Sequence, residues 1–162
     1  MTGQSHLVVF ALDDHLYSLH LSAVKRVIRA VEVTPLPKSP PVVIGVIDLE
    51  GTIVPVVNLR GRFRLPEREI EPSDQIVIAR TAAEGPITSG GRLVGLVVDS
   101  VMEVIEISAE RIVAPESIMP GLEYVDGVAR LADGLLLIHD LDTFLSTDER
   151  RTLDAALAAG VS

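Results

Sequence analysis

A chain of 162 residues is the size of one domain, and at that length it buries roughly 70% of its unfolded surface without covalent staples. It has no cysteine, which excludes disulfides and thiolate metal sites, and with 48% hydrophobic but only 3% aromatic residues its core must be built from Val, Ile and Leu. A net charge of −9 and a pI near 4.8 argue against nucleic acid and anionic lipid as partners, since both are held by clustered Lys and Arg.

Leu7 to Leu12 is a compact apolar run, Asp13-Asp14 reads as a turn, and His15 to Leu21 sets Leu16, Ser18 and His20 against Tyr17, Leu19 and Leu21. This pattern predicts a hairpin with one buried face. Ser22 opens Ala23-Val24-Lys25-Arg26-Val27, which suits one helical turn or the lead-in to a strand. Thr34 to Pro41 holds four prolines; they remove backbone donors and fix φ, so a stiff connector accounts for it better than a proline-motif ligand. Pro41 to Ile44 is expected to start a short helix. From Ile44 to Gly61, two β-rich runs flank an Asp48-Leu49-Glu50-Gly51 turn. Pro55 sits inside the second run, which predicts an edge or bulged strand.

Phe63 to Ser73 is charged and proline-bearing, hence a loop, and Gln75 to Ala79 is a strand. Thr81 to Arg92 is a loop containing Gly and Ser, followed by a strand over Arg92 to Val98 that continues past Asp99-Ser100 into Val101 to Ile107. Pro115 to Glu123 reads as irregular. Tyr124 to Leu131 and Leu135 to His139 are strands about an Asp133-Gly134 turn. The tail is helical: Asp140 or Asp142 caps it, Leu141, Phe144 and Leu145 supply an apolar face, and Thr147-Asp148-Glu149 starts a second helix towards Leu153 and Leu157. Many short strands with little helix point to barrels or a sandwich. No apolar run approaches a membrane span of roughly 18 residues, and the N-terminus has no signal core, so a soluble cytoplasmic protein is expected.

Catalytic and metal motifs are missing. The histidines, His6, His15, His20 and His139, form no ligand spacing, and His139-Asp140 reads as a strand-end histidine beside a helix cap. Asp99-Ser100-Val101 lacks the glycine of an aspartic-protease loop. No nucleophile elbow or phosphate loop appears, so neither an enzyme nor a cofactor is expected.

The Ile44 to Arg60 segment resembles the G-V-I-N-L-R-G-x-I-x-P-V-x-D-L-R signature of CheW-like chemotaxis coupling proteins. The opening hairpin, Val24-Lys25-Arg26-Val27, Thr34-Pro35-Leu36-Pro37, Gly95 to Val101, Gly127 and Leu135 to Ile138 follow in the family's order. The resemblance implies two intertwined five-stranded β-barrels with a short C-terminal helix, a CheW-like domain over 1–146 and a helical tail over 147–162. It also implies a non-catalytic adaptor bridging a chemoreceptor cytoplasmic tip to the regulatory domain of a CheA-type histidine kinase, with other CheW-like domains as further partners. A module of the same fold serving another signalling pathway is the alternative.

The partner-binding positions carried over are Val24, Arg26, Gly45, Glu50, Val101 and Val104. Taken without the resemblance, the valines are core. The family usually has glutamate in V-x-E-V and arginine in N-L-R-G; here Arg26 and Glu50, 24 residues apart, occupy those places with the charges exchanged.

Overall fold

Strands buried on both faces explain why so many apolar runs do not alternate. The computed structural model describes residues 3–81, 92–115 and 124–159. Its strands are β1 (Gln4–Leu12), β2 (His15–His20), β3 (Val24–Arg29), β4 (Val43–Leu49), β5 (Thr52–Val57), β6 (Gln75–Arg80), β7 (Leu93–Val98), β8 (Ser100–Ser108), β9 (Ile112–Val113), β10 (Val125–Leu131) and β11 (Gly134–His139). Two α-helices, α1 (Leu59–Arg62) and α2 (Thr147–Ala158), accompany them. One sheet has the order β8-β1-β2-β11-β10-β9 and the other β3-β6-β7-β5-β4. The chain thus starts in the first sheet, builds the whole of the second, and returns to finish the first.

Each sheet rolls on itself. In the second, Arg26 on β3 and Glu50 at the end of β4 belong to opposite margins, yet their side chains meet at 3.1 Å. In the first, a single 3-10 turn over Ala109–Arg111 joins the outermost strands β8 and β9. Leu7, Val9, Ile107, Ala129, Leu136 and Ile138 fill the first barrel, and Ile47, Val54, Val56, Ile76 and Ile78 the second. A third core lies between them. On β6, Ile76 and Ile78 face into the barrel, whereas Val77 and Ala79 face this shared seam with Phe10, Leu12, Leu96 and Val98. The expected two-barrel fold is therefore present, with β9 as a sixth, two-residue strand in the first barrel.

Pro55 does not sit on an edge strand: β5 lies between β7 and β4. The register shows how it is accommodated. Pro55 is opposite Val46, whose N–H and C=O are both bonded to Thr34, at 2.8 and 2.9 Å. The Val46–Pro55 pair therefore exchanges no ladder bonds, and the proline nitrogen points to the β7 side. There the parallel pairing covers only Val56 and Val57. The missing donor falls in a gap.

Other expectations shift locally. Pro41-Val42 is a turn, not the start of a helix, because Val43 already pairs with Val57 and Val42 O accepts the Asn58 N–H at 2.7 Å. Ser18 is fully buried, its hydroxyl donating to Leu137 O at 2.9 Å where β2 meets β11. The last hairpin turns on Ala132-Asp133, since Leu131 still pairs with Gly134. Asp140 caps a 3-10 turn over Leu141–Thr143, and α2 starts from Ser146, which forms a capping box with Glu149. Leu153 on α2 is fully buried in the seam, and ion pairs Arg62–Glu149 and Arg92–Asp154 hold the helix there. Residues 82–91 and 116–123, within the loops expected at 81–92 and 115–123, lie outside the described residues.

Beside the β7–β8 crossing between the barrels, Arg60 of α1 is 7% exposed. It donates to Asp13 in the first hairpin (2.8 Å), to Asp99 between β7 and β8 (2.6 Å), and to Pro66 O (3.2 Å). Arg68 shares Asp99 (2.8 Å) and grips Asp74 with both guanidinium nitrogens at 2.8 Å. Burial alone would raise the Asp99 carboxyl, but hydrogen bonds from Arg60 and the Asp13 N–H outweigh it and hold its pKa below the usual carboxylate range. Arg68 does the same for Asp74.

His139 closes β11 within an aromatic cluster, stacked on Phe63 at 4.7 Å. Its Nδ1 lies 3.3 Å from Tyr124 O, while Nε2 is buried without a partner. Burial pushes its pKa down to about 4. The unfolded chain then binds a proton near pH 6.5 that the fold refuses, so stability declines as pH falls from 6.5 to about 4, by on the order of 3 kcal/mol. The depressed carboxylates act in a lower window: their contribution is complete above their ordinary pKa of 3.8 and is lost as pH falls through the folded values. Urea unfolding of His139→Phe across pH 7 to 2.5 should show the upper decline gone and the lower one intact.

Candidate functional site

Five of the six carried-over residues fall on bulged strands at the margins of the sheets, and Glu50 lies in the turn that follows one of them. On β3, Val24 pairs with Ala79 and Arg26 with Ile78, which leaves Lys25 as an extra residue. On β8, Phe10 pairs with Val101 and Val9 with Glu103, so Met102 is extra. On β4, Val43 pairs with Val57 and Gly45 with Val56, so Ile44 is extra. A bulge breaks the two-residue repeat, turns successive side chains outward, and spoils a bare margin as a template for strand addition. Hence Met102, Glu103 and Val104 are all exposed, Met102 at 57% and Val104 at 54%. Val101 packs partly on the shared core, with its N–H held by Gln75 Oε1 at 2.7 Å. Since Gln75 pairs with Arg29, that bond brings the start of β8 to the far end of β3.

Arg26 and Glu50 are brought together. Arg26 Nη1 donates to Glu50 Oε1 at 3.1 Å, with side chains 45% and 76% exposed. Glu50 and Gly51 form the β4–β5 turn with φ of 51° and 90°, the mirror-image turn that matches strand twist. Asp48 Oδ1 accepts the Gly51 N–H at 2.8 Å. At this exposure the ion pair is worth about 0–1 kcal/mol to folding. Val24 is half-buried against the seam, on the same strand.

Gly45 stands apart. It is buried, and a Cβ built on it would lie 2.2 Å from Thr34 O and 2.9 Å from Val33 Cγ1. It has no side chain because the connector crosses directly over it to make the Thr34–Val46 bridge. Gly45→Ala must displace that crossing; we expect a loss of roughly 2–4 kcal/mol, read as a lower thermal midpoint. Tightened amide exchange at Thr34 and Val46 in the variant would contradict this packing role.

The exposed apolar residues Val27, Ile53 and Met102 are not among the six carried-over positions, and neither is Arg60, which is buried. The signal for Met102 is weak: a bulge has no residue code, and Met102-Glu103-Val104 reads equally well as an alternating strand. Charge divides the two margins. Lys25, Arg26 and Arg29 are exposed on β3, and Glu103 and Glu106 on β8. Among the described residues no group of three His, Asp or Glu side chains could hold a metal, and no helix is long and apolar enough to cross a membrane.

Residues 6–149 match the CheW-like domain family. This chain belongs to that family. A chemotaxis protein CheW from Treponema pallidum is 29% identical over 152 residues, covering 93% of this chain and 87% of its own length. Its counterpart from Klebsiella aerogenes is also 29% identical, over 154 residues, 94% of this chain and 87% of the relative. The crystal structure of the scaffolding protein TtCheW from Thermoanaerobacter tengcongensis aligns with a TM-score of 0.77 at 30% identity, over 91% of this chain and 96% of the other. The paired barrels seen here are thus the CheW-like fold, and the bulged β3 and β8 are margins of it.

Proposed function

We propose that this CheW-like chain is a non-catalytic chemotaxis adaptor that couples the cytoplasmic tip of a chemoreceptor to the regulatory domain of a CheA-type histidine kinase. The observation that carries the reading is the pair of bulged outer strands. β3 and β8 offer apolar side chains, Val27, Met102 and Val104, beside charges of opposite sign. An adaptor needs such surfaces, not a reaction centre, and relatives that share the whole domain are named for chemotaxis and scaffolding. Val24, Arg26, Glu50, Val101 and Val104 are assigned to partner contact, with Gly45 acting through the backbone it supports. Other CheW-like domains are further partners of the same assembly.

A second reading has its own observation: the Arg26–Glu50 pair is formed, with the two charges exchanged relative to the family pattern. An exposed pair contributes little to folding in either orientation, but like charges set against each other across an interface cost several kcal/mol. In this reading the exchange turns away the usual receptor or kinase and fits the module to another signalling pathway.

Co-sedimentation with receptor signalling tips and the CheA-type kinase of the same host distinguishes them, using wild type, Arg26→Glu/Glu50→Arg and Val104→Glu. The adaptor reading expects wild type to bind both partners and raise kinase activity, Val104→Glu to lose receptor tips at least about tenfold, and the thermal midpoints to stay within about 1 kcal/mol of one another. Binding by the double variant alone supports the second reading. Binding by none removes the adaptor reading.

A further inference from the structure

A groove of about 770 Å³ opens on the second barrel; none of the six carried-over residues lines it, though Ile44 in its floor adjoins Gly45. One wall is the connector after β3, residues 30–33, and the other is the loop over residues 67–72. Its floor is apolar: Val31, 48% exposed, with Val33, Ile44 and Ile70 half-buried beside it. Its rim is acidic, with Glu32, Glu67, Glu69 and Glu71 all exposed. Arg68 is the one cation among the lining residues; its guanidinium hydrogen-bonds Asp74 and Asp99 and lies 4.0 Å from Glu71 on the rim.

Both walls are fixed before anything docks. Asp74 is held by Arg68, its carboxylate accepts the Glu71 N–H at 2.8 Å, and its carbonyl accepts the Ala30 N–H at 3.0 Å. The connector is pinned further along by the pair of backbone hydrogen bonds between Thr34 and Val46. A groove with ordered walls spares a partner the cost of arranging them. Glu71 lies 4.0 Å from Arg68 and Glu67 accepts a hydrogen bond from Asn58 at 3.0 Å, but one cation among four carboxylates leaves the rim with an excess of negative charge that a docking cation would offset.

We propose that this groove docks an extended segment of a partner protein in which an aliphatic side chain is flanked by lysine or arginine, independently of the adaptor reading. The aliphatic side chain covers Val31, Val33, Ile44 and Ile70, while the flanking cations reach the glutamates. The charge of the rim selects this occupant: acidic segments, phosphate groups and anionic lipid are all repelled.

The test uses the full chain with labelled Val and Ile methyl groups and three peptides: Lys-Val-Lys-Leu-Lys, Glu-Val-Glu-Leu-Glu, and Lys-Ser-Lys-Ser-Lys. The expected result is methyl shifts at Val31, Val33, Ile44 and Ile70 with the first peptide only. Its affinity should fall roughly tenfold between low and high salt, as exposed charges are screened. Glu69→Lys/Glu71→Lys should abolish the shifts while the rest of the methyl spectrum stays that of the wild type. Shifts elsewhere on the molecule, equal binding by the second or third peptide, or binding by none would overturn the proposal. None of these readouts involves a receptor or a kinase, so failure here and failure of the adaptor reading are separate results.

Discussion

Arg60 is the point on which the two barrels are joined. Its guanidinium is buried at the crossing and binds carboxylates from the first hairpin and from the β7–β8 junction, so one planar cation ties both barrels to α1. A buried cation is tolerable only when it is paired and hydrogen-bonded, and Arg60 donates to Asp13, Asp99 and Pro66 O. Arg68 extends the same network to Asp74, which in turn holds the ends of β3 and of the loop that follows α1. Apolar burial is the main driving force at such a seam, and the ionic cluster adds directional contacts between the halves, because Arg–carboxylate geometry is directional where aliphatic contact is not.

Bulges do for the margins what the cluster does for the centre. Rolled sheets still have outer strands, and β3, β4 and β8 each carry one extra residue. That irregularity blocks indiscriminate strand addition while leaving side chains such as Met102 and Val104 exposed. A surface that resists aggregation and one that offers apolar contact to a chosen partner are here produced by the same backbone feature.

Val-, Ile- and Leu-rich runs punctuated by Gly, Pro and Asp at short spacing narrowed the fold to barrels or a sandwich, and the family pattern running through most of the chain made the two-barrel architecture legible. The Arg26–Glu50 pairing was legible from the same pattern. Arg60 was not, since its carboxylate partners are 47 and 39 residues away and only folding brings them together. The burial of Ser18 was hidden for a related reason: alternation predicts which face is inside only when one face is outside, and at Ser18 and Leu19 both faces of β2 are covered. The helix expected at Pro41 failed against tertiary pairing, with Val43 already committed to Val57. Pro55 drew the right physical concern, a missing donor, but the structure resolves it through register rather than through an edge.

The order in which the strands enter the two sheets has a consequence for synthesis. The second barrel occupies one unbroken stretch, from Val24 to Val98, whereas the first needs β1 and β2 from the start of the chain and β8 to β11 from its later half. As the chain emerges from a ribosome, the opening hairpin must therefore wait, with Leu7 and Val9 uncovered, until His139 has been made. The barrel begun first is completed last, and the finished second barrel is placed to cover only the hairpin's opposite, seam face, through Phe10, Leu12 and Leu19.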